Sequence, residues 1–271
     1  MTDTTFVTGG TGFLGGAIVQ RLVALGRPVK ALARSEEGAR ALRALGAESV
    51  RGDVLDCRTL LEAMRGCGVV YHAAGVNAFC LRDTSPLFEV NVQGSLNAVH
   101  AAADAGARRV VYTSSAATLG EAHGSRGTES SPHRGWFLSS YERSKFEAEH
   151  AVLAAADRRG IEVVSVNPAS VQGPGRATGT TRLLLDYLNG KLKNVVDATI
   201  SLVDIADCTE GHLLAESRGA AGERYVLSGA TLTVREGIQL LERLTGVQGS
   251  VRSLPPFPFL SSSPERITCF S

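Results

Sequence analysis

The glycine cluster Gly10-Thr-Gly12-Phe-Leu-Gly15 stands between a short β-branched run at 5–8 and an amphipathic stretch at 13–25, where Leu14, Ile18, Leu22 and Leu25 recur at helical spacing. That order restricts what the chain can build. Gly10 permits a tight turn, Gly12 lets a pyrophosphate approach the backbone, and Gly15 lets the helix settle close to the strand. The free N–H groups at the helix start then face the phosphates. The spacing therefore predicts a strand–turn–helix unit that holds a dinucleotide, and a glycine turn serving packing alone is the competing reading.

The alternation continues along the chain. Apolar runs at 29–33, 49–52, 69–73, 109–114 and 162–167 are separated by amphipathic stretches that include 59–65, 85–105 and 139–159. Strands alternating with helices pair in parallel through right-handed crossovers. The expected fold class is α/β, a Rossmann-type doubly wound parallel sheet over residues 1–167. Beyond Pro168 the rhythm changes to a Gly-rich segment at 173–179, helices at 181–188, 204–216 and 234–244, and strands at 199–203 and 224–227. This reads as a smaller C-terminal substrate-binding region at 168–246, whose 199–216 stretch can return to the main sheet. Pro255, Pro256, Pro258 and Pro264 fall among serines, which cannot continue a helix, so 247–271 reads as an atypical tail.

Composition narrows the function classes. With 271 residues, 44% of them hydrophobic, the chain can bury a sizeable core. A net charge of +1 without basic runs argues against a nucleic-acid partner, which needs clustered cations to displace counterions. There is no secretory signal and no run of the roughly 18 apolar residues that a membrane span needs, so no membrane partner and a cytoplasmic location are expected. Cys57, Cys67, Cys80, Cys208 and Cys269 are odd in number with no Cys-x-x-Cys pair, the pattern of reduced packing residues. The histidines lack helical i,i+4 partners, and no metal is expected.

Four further features carry chemistry. Arg34 ends the second strand, where an acidic residue would accept from the ribose of NAD; a cation there suits the 2′-phosphate of NADP, unless it is a surface charge and Glu36 or Glu37 reaches a free 2′-hydroxyl. Asp53 closes the third strand, where it can accept from an adenine amino group or serve as a turn aspartate. Tyr141 and Lys145 lie four residues apart on one helical face, so that the ammonium favours the phenolate and makes Tyr141 a usable proton donor or acceptor. Ser115 ends an apolar strand, where ligands bind in such sheets, and its hydroxyl can hold a substrate carbonyl.

Thr8-Gly-Gly-Thr-Gly-Phe-Leu-Gly15, Asp53-Val54, His72-Ala73-Ala74-Gly75, Asn91-Val-x-Gly94, Thr113-Ser-Ser115 and Tyr141-x-x-x-Lys145 occur in the order and spacing of extended short-chain dehydrogenases/reductases, which the chain resembles from about residue 4 to 246. Asn167-Pro-Ala-Ser-Val171-x-Gly-Pro174, Leu202-Val-Asp204-Ile-x-Asp207 and Gly222-Glu-Arg-Tyr225 are similar to the dihydroflavonol-4-reductase-like group. The resemblance implies that Tyr141 is the general acid/base, that Lys145 binds the nicotinamide ribose and tunes Tyr141, and that Ser115 orients the reacting carbonyl. Asn91 looks like the residue that supports the lysine. Gly9, Gly12, Phe13, Leu14 and Gly15 match the pyrophosphate loop, and Asp53 and Val54 match the adenine contacts. Ala73, Ala74 and Gly75 would line the cofactor, with Pro168 and Val171 at its carboxamide.

Nucleotide-sugar members commonly carry an Arg-Tyr pair that Ser165-Val-Asn167-Pro lacks. The expected substrate wall is apolar, Val76, Phe79, Leu81, Trp136 and Phe137, with Asn167 beside it. The expected activity is therefore an NADP-dependent oxidoreductase interconverting carbonyl and alcohol on a small, largely hydrophobic substrate. The alternatives are a nucleotide-sugar 4-epimerase with tightly bound NAD and a dinucleotide-binding module without turnover. Extended members of this superfamily usually run longer, with helices over the substrate where this chain has its Pro/Ser-rich tail. Such proteins also pair as homodimers through helices equivalent to 85–105 and 139–159.

Overall fold

The computed structural model describes residues 3–78, 81–121, 125–176 and 179–254. Phe79 and the tail from 255 onward lie outside the described residues. Along the chain come β1 (Thr4–Thr8), α1 (Phe13–Ala24), β2 (Val29–Ala33), α2 (Glu36–Ala44), β3 (Glu48–Arg51), α3 (Cys57–Met64) and β4 (Cys67–His72). Next are α4 (Ser85–Phe88), a π turn (Glu89–Gln93), α5 (Gly94–Asp104), β5 (Arg109–Thr113), a single 3-10 turn (Ala116–Thr118), α6 (Ser140–Arg159) and β6 (Glu162–Pro168). The remainder is β7 (Ser170–Gln172), α7 (Thr180–Leu188), β8 (Asn194–Val196), β9 (Thr199–Asp204), α8 (Ile205–Arg218), β10 (Arg224–Leu227), β11 (Ala230–Thr233), α9 (Val234–Thr245) and β12 (Arg252–Leu254).

Seven strands form one parallel sheet in the order β10-β6-β5-β4-β1-β2-β3. The expected doubly wound fold is what these residues form. Strand order reverses between β1 and β4, so the loops that leave their carboxyl ends diverge and open a crevice. Both faces are covered. Phe6, Val70, Val110 and Val163 point into one apolar layer with α3, α5 and α6, while Val7, Tyr71, Val111 and Val164 point into the other with α1 and α8. Ile18 and Leu22 of α1 are fully buried, each contributing roughly 1.5–3 kcal/mol by leaving water.

Local chemistry sets the helix ends. Ser35, Asp56 and Ser139 cap α2, α3 and α6 by accepting from backbone N–H groups one turn on, and Gly160 ends α6 in the left-handed region at φ 65°. The helix expected at 85–105 runs from Ser85 to Asp104, with a π turn within it that carries Asn91 inward. Such turns re-aim side chains at functional sites.

The C-terminal region departs from expectation in two ways. The strand expected at 199–203 does not rejoin the main sheet: β9 pairs parallel with β7 and antiparallel with β11 in a separate three-stranded sheet. Its half-exposed residues suit a sheet with one wet face, whereas a central parallel strand is apolar on both sides. What returns is α8, capped by Asp204, which buries Cys208, His212 and Ala215 against the sheet, followed by β10, which adds beside β6. The division expected at 167/168 is thus crossed by the seventh strand. The body also does not end at Gly246. Helix α9 stops there at φ 72°, but β12 then pairs with β8, because the prolines begin only at 255. Among the described residues no helix is long and apolar enough to cross a membrane, and no three His, Cys, Asp or Glu side chains converge as for a metal.

Candidate active site

The turn from β1 to α1 places its glycines in different roles from those expected. Gly9 (φ 73°), not Gly10, adopts the left-handed conformation of the turn, and a Cβ on it would sit 2.6 Å from the Ala73 backbone. A Cβ on Gly10 would instead press on Leu42 and Val19 at 3.0 and 3.1 Å, because α2 packs over it. Gly15 behaves as expected. Its Cβ would fall 2.2 Å from the Gly9 carbonyl oxygen, so α1 lies against the turn only because no side chain stands there.

A cavity of about 780 Å³ opens along the carboxyl edge of the sheet. Of the expected residues, Gly9, Gly12, Phe13, Leu14, Gly15, Ala73, Ala74, Gly75, Val76, Ser115, Tyr141, Lys145, Pro168 and Val171 line it. Ser114 Oγ, buried at its wall, has no hydrogen-bond partner among the described residues. A cradle that any Cβ would fill, a helix N-terminus and an unsatisfied hydroxyl fit a dinucleotide with an anionic pyrophosphate.

Tyr141 and Ser115 meet across this cavity, where the Ser115 side chain is hydrogen-bonded to the Tyr141 phenol. Burial pushes the phenol above its ordinary range; the Ser115 hydrogen bond and the Arg176 charge pull the other way. Lys145 stands one turn further along α6 and lines the same cavity. Lys145 is itself buried: Nζ donates to the Thr113 carbonyl at 2.8 Å and to Tyr112 Oη at 3.4 Å, and lies 5.0 Å from the Tyr112 ring. Desolvation lowers its pKa to about 8, against which the Glu149 charge acts.

Asn91 reaches the neighbourhood of Lys145 through Ser144, the residue that precedes it. Its Oδ1 accepts from the Val76 N–H at 2.8 Å, and its Nδ2 donates to the Val76 carbonyl at 3.0 Å and to Ser144 Oγ at 2.9 Å. It therefore fixes the loop after β4 and the residue beside the lysine. His72 stacks on Tyr112 and is held by Thr8 and Ser95, its pKa lowered to about 3 by burial, which keeps it neutral.

The adenosine end is more open. Arg34 is exposed at the end of β2. Of the two acids that could reach a free ribose hydroxyl, Glu36 is held by Arg43 at 2.7 Å, which also keeps its carboxyl below the usual range, and Glu37 is exposed. Asp53 accepts from Leu55 N–H at 2.9 Å in a turn, and Val54, buried, gives its carbonyl to Asn97 at 3.0 Å. Both lie outside the wall of the cavity.

The substrate end corrects the expected apolar wall. Trp136 is 43% exposed beneath the Arg134 guanidinium, and Phe137 packs on His133 and Phe146, so neither lines the cavity. Leu81 is exposed, and Asn167 is fully buried below Ser115, donating to its carbonyl at 3.2 Å. The far wall comes instead from Ser170, Arg176, Thr180, Thr199, Ile200 and Ser201. These were missed because loop and strand-end residues of the C-terminal region carry no spacing signal. The Gly173–Gly175 turn before Arg176 was the one cue.

The profile of the NAD dependent epimerase/dehydratase family matches residues 5–228. The chain is 35% identical to the sterol demethylase protein B of Methylococcus capsulatus over 93% of this chain and 78% of that protein. It is 34% identical to a putative dihydroflavonol 4-reductase of Synechocystis, over 94% and 76%. Among solved structures it superposes on gox2253 with a TM-score of 0.88 at 31% identity, covering 94% of this chain and 78% of that one. The UDP-glucose 4-epimerase of Thermus thermophilus, solved with NAD, gives 0.80 at 27% identity, covering 94% and 87%. With its parallel sheet and glycine turn, this chain belongs to the NAD dependent epimerase/dehydratase family, within the extended short-chain dehydrogenases/reductases.

Proposed function

We propose that the protein is an NADP-dependent oxidoreductase that interconverts a carbonyl and an alcohol on a small substrate. The observation that carries this reading is the convergence of Ser115, Tyr141 and Lys145 on the cavity that begins at the glycine turn. A relative named as a putative dihydroflavonol 4-reductase supports the direction of the chemistry.

A bound nicotinamide supplies or accepts the hydride. The chain's own residues handle the proton and the geometry. The Ser115 hydroxyl donates to the carbonyl oxygen, and Tyr141 delivers its proton to that oxygen as hydride reaches the carbon. A phenol held above its ordinary pKa is protonated at neutral pH, which suits the reductive direction. The phenolate left behind is stabilised by the charge of Arg176, with the Lys145 ammonium one helical turn away. NADP over NAD is supported by Arg34 at the end of β2 and by Glu36 being occupied with Arg43. Val76, Ala169, Val171 and Ile200 on the wall support a largely hydrophobic substrate, with Arg176 placed to meet a polar group on it.

The second reading, a nucleotide-sugar 4-epimerase, is supported by the fold likeness to the Thermus enzyme. One comparison separates the two. A reductase shows a larger rise in melting temperature with NADPH than with NADH or UDP-sugars, and consumes NADPH in step with product, because a ligand that binds only the folded state stabilises it. Purification with NAD retained, and turnover of a UDP-sugar without added cofactor, would establish the epimerase. We carry forward a homodimer through α5 and α6; a monomeric mass by light scattering would contradict it.

A further inference from the structure

Glu149 lies one turn beyond Lys145 and two turns beyond Tyr141 on α6, so the three share a face. Its side chain is fully buried. Oε2 accepts from Ser165 Oγ at 3.0 Å and from Asn167 Nδ2 at 2.5 Å, and the Thr118 hydroxyl lies 3.4 Å away. Oε1 makes no hydrogen bond among the described residues and faces Nη1 of Arg224, on β10, at 3.3 Å. The same network ends under the serine: Asn167 Nδ2 and Thr118 Oγ1 both donate to the Ser115 carbonyl, at 3.2 and 2.9 Å. A carboxylate taken wholly out of water is costly unless its surroundings compensate it, and here they join two strands and a turn to the site.

We propose that Glu149 is a positioning residue for the reacting pair: through Asn167 and Thr118 it sets the backbone beneath Ser115, and its charge keeps the Lys145 ammonium protonated. This rests on the reading of Ser115, Tyr141 and Lys145 given above. The groups packed around Lys145 leave the charge to Glu149. From β5 come the Tyr112 phenol, held neutral by burial, and the Thr113 carbonyl. From β4 comes His72, neutral, and from α8 comes His212, which reaches the Thr113 hydroxyl at 3.0 Å and has its pKa lowered to about 4 by burial. On α6 itself Tyr141 is held protonated by burial. Arg224 stands behind Glu149 and offsets it. Removing Glu149 therefore exposes Lys145 to desolvation alone, and removing Arg224 strengthens the field of Glu149.

Opposite signs make the test specific. The pKa of Lys145 is read on the free protein from the pH dependence of its acetylation by acetic anhydride, by peptide mass spectrometry. The alkaline limb of kcat is read with NADPH and the best carbonyl compound of a panel. Glu149→Gln is expected to move both midpoints down by about one pH unit, and Arg224→Gln to move both up. Glu149→Asp should restore part of the shift. Midpoints that stay in place in folded variants, or that move in the same direction in both, overturn the proposal. If Glu149→Gln does not fold, Arg224→Gln decides alone, since it sits on an edge strand and its midpoint must still rise. Tyr141→Phe separates the two layers: turnover that survives it refutes the underlying reading, whereas lost turnover with unmoved Lys145 midpoints in the Glu149 and Arg224 variants refutes this proposal only.

Discussion

Asn91 grips Val76 by both backbone groups, accepting from its N–H at 2.8 Å and donating to its carbonyl at 3.0 Å. The loop that leaves β4 is thereby tied to a side chain carried inward by the π turn. With its third bond to Ser144, the amide links the cavity wall to the helix that bears Tyr141 and Lys145.

Asn91→Asp keeps the acceptor for the Val76 N–H but sets a carboxylate oxygen against the Val76 carbonyl. A buried acceptor left without its donor costs about 1–3 kcal/mol. The expected result is a lower midpoint in chemical denaturation by that amount, together with weaker NADPH binding, measured by cofactor fluorescence.

Gly15→Ala forces a Cβ to within 2.2 Å of the Gly9 oxygen, so α1 must move off the turn. NADPH affinity should fall by at least about tenfold, with a stability loss of about 1–3 kcal/mol from overpacking. Gly237→Ala, inside α9 with nothing within 4 Å of the added carbon, should instead stabilise by up to about 1 kcal/mol and leave binding unchanged. Equal losses in both variants would remove the argument for the close turn.

Arg34→Glu replaces the cation at the end of β2 by a repulsive carboxylate. A charge-assisted hydrogen bond is worth about 1.5–3 kcal/mol, so kcat/KM for NADPH should fall about tenfold to a hundredfold while that for NADH holds or rises. An unchanged cofactor ratio would make Arg34 a surface charge.

His72 and His212 are fully buried, with pKa values lowered to about 3 and 4 from 6.5 by desolvation. Unfolded, each takes up a proton below about pH 6.5 that the folded protein refuses until much lower pH. Stability therefore falls as pH drops through this window, by about 2 kcal/mol per histidine at pH 5. Melting temperature measured from pH 7 to 5 should decline, and His212→Gln should flatten the decline.

How much of this was legible depends on what kind of signal a residue leaves. Gly12, Gly15, Tyr141 and Lys145 are recoverable because each belongs to a spacing that a strand, turn or helix imposes. The spacing marks Gly10 for the turn where the fold uses Gly9, since which of two adjacent glycines takes the positive φ depends on how α2 covers the turn. Glu149 is one of 27 acidic residues, and acids usually mark a solvated face. Its place four residues after Lys145 was the cue that went unused. The apolar wall failed for a physical reason: Trp136 and Phe137 sit just before α6, near Tyr141 in sequence, yet Phe137 is drawn off by His133 and Phe146. The far wall depends on β9 pairing with β7 and β11, a long-range choice that half-apolar strands do not encode locally.

The central claim is that Tyr141 moves the proton while NADPH is consumed on a carbonyl compound. Tyr141→Phe keeps the ring and removes only the phenolic hydroxyl. On the best carbonyl compound of a panel, the account predicts that kcat falls by about 100-fold or more, as for loss of a general acid, with NADPH still bound and the melting temperature near that of the unaltered protein. NADPH oxidation at an unchanged rate in that variant would contradict it.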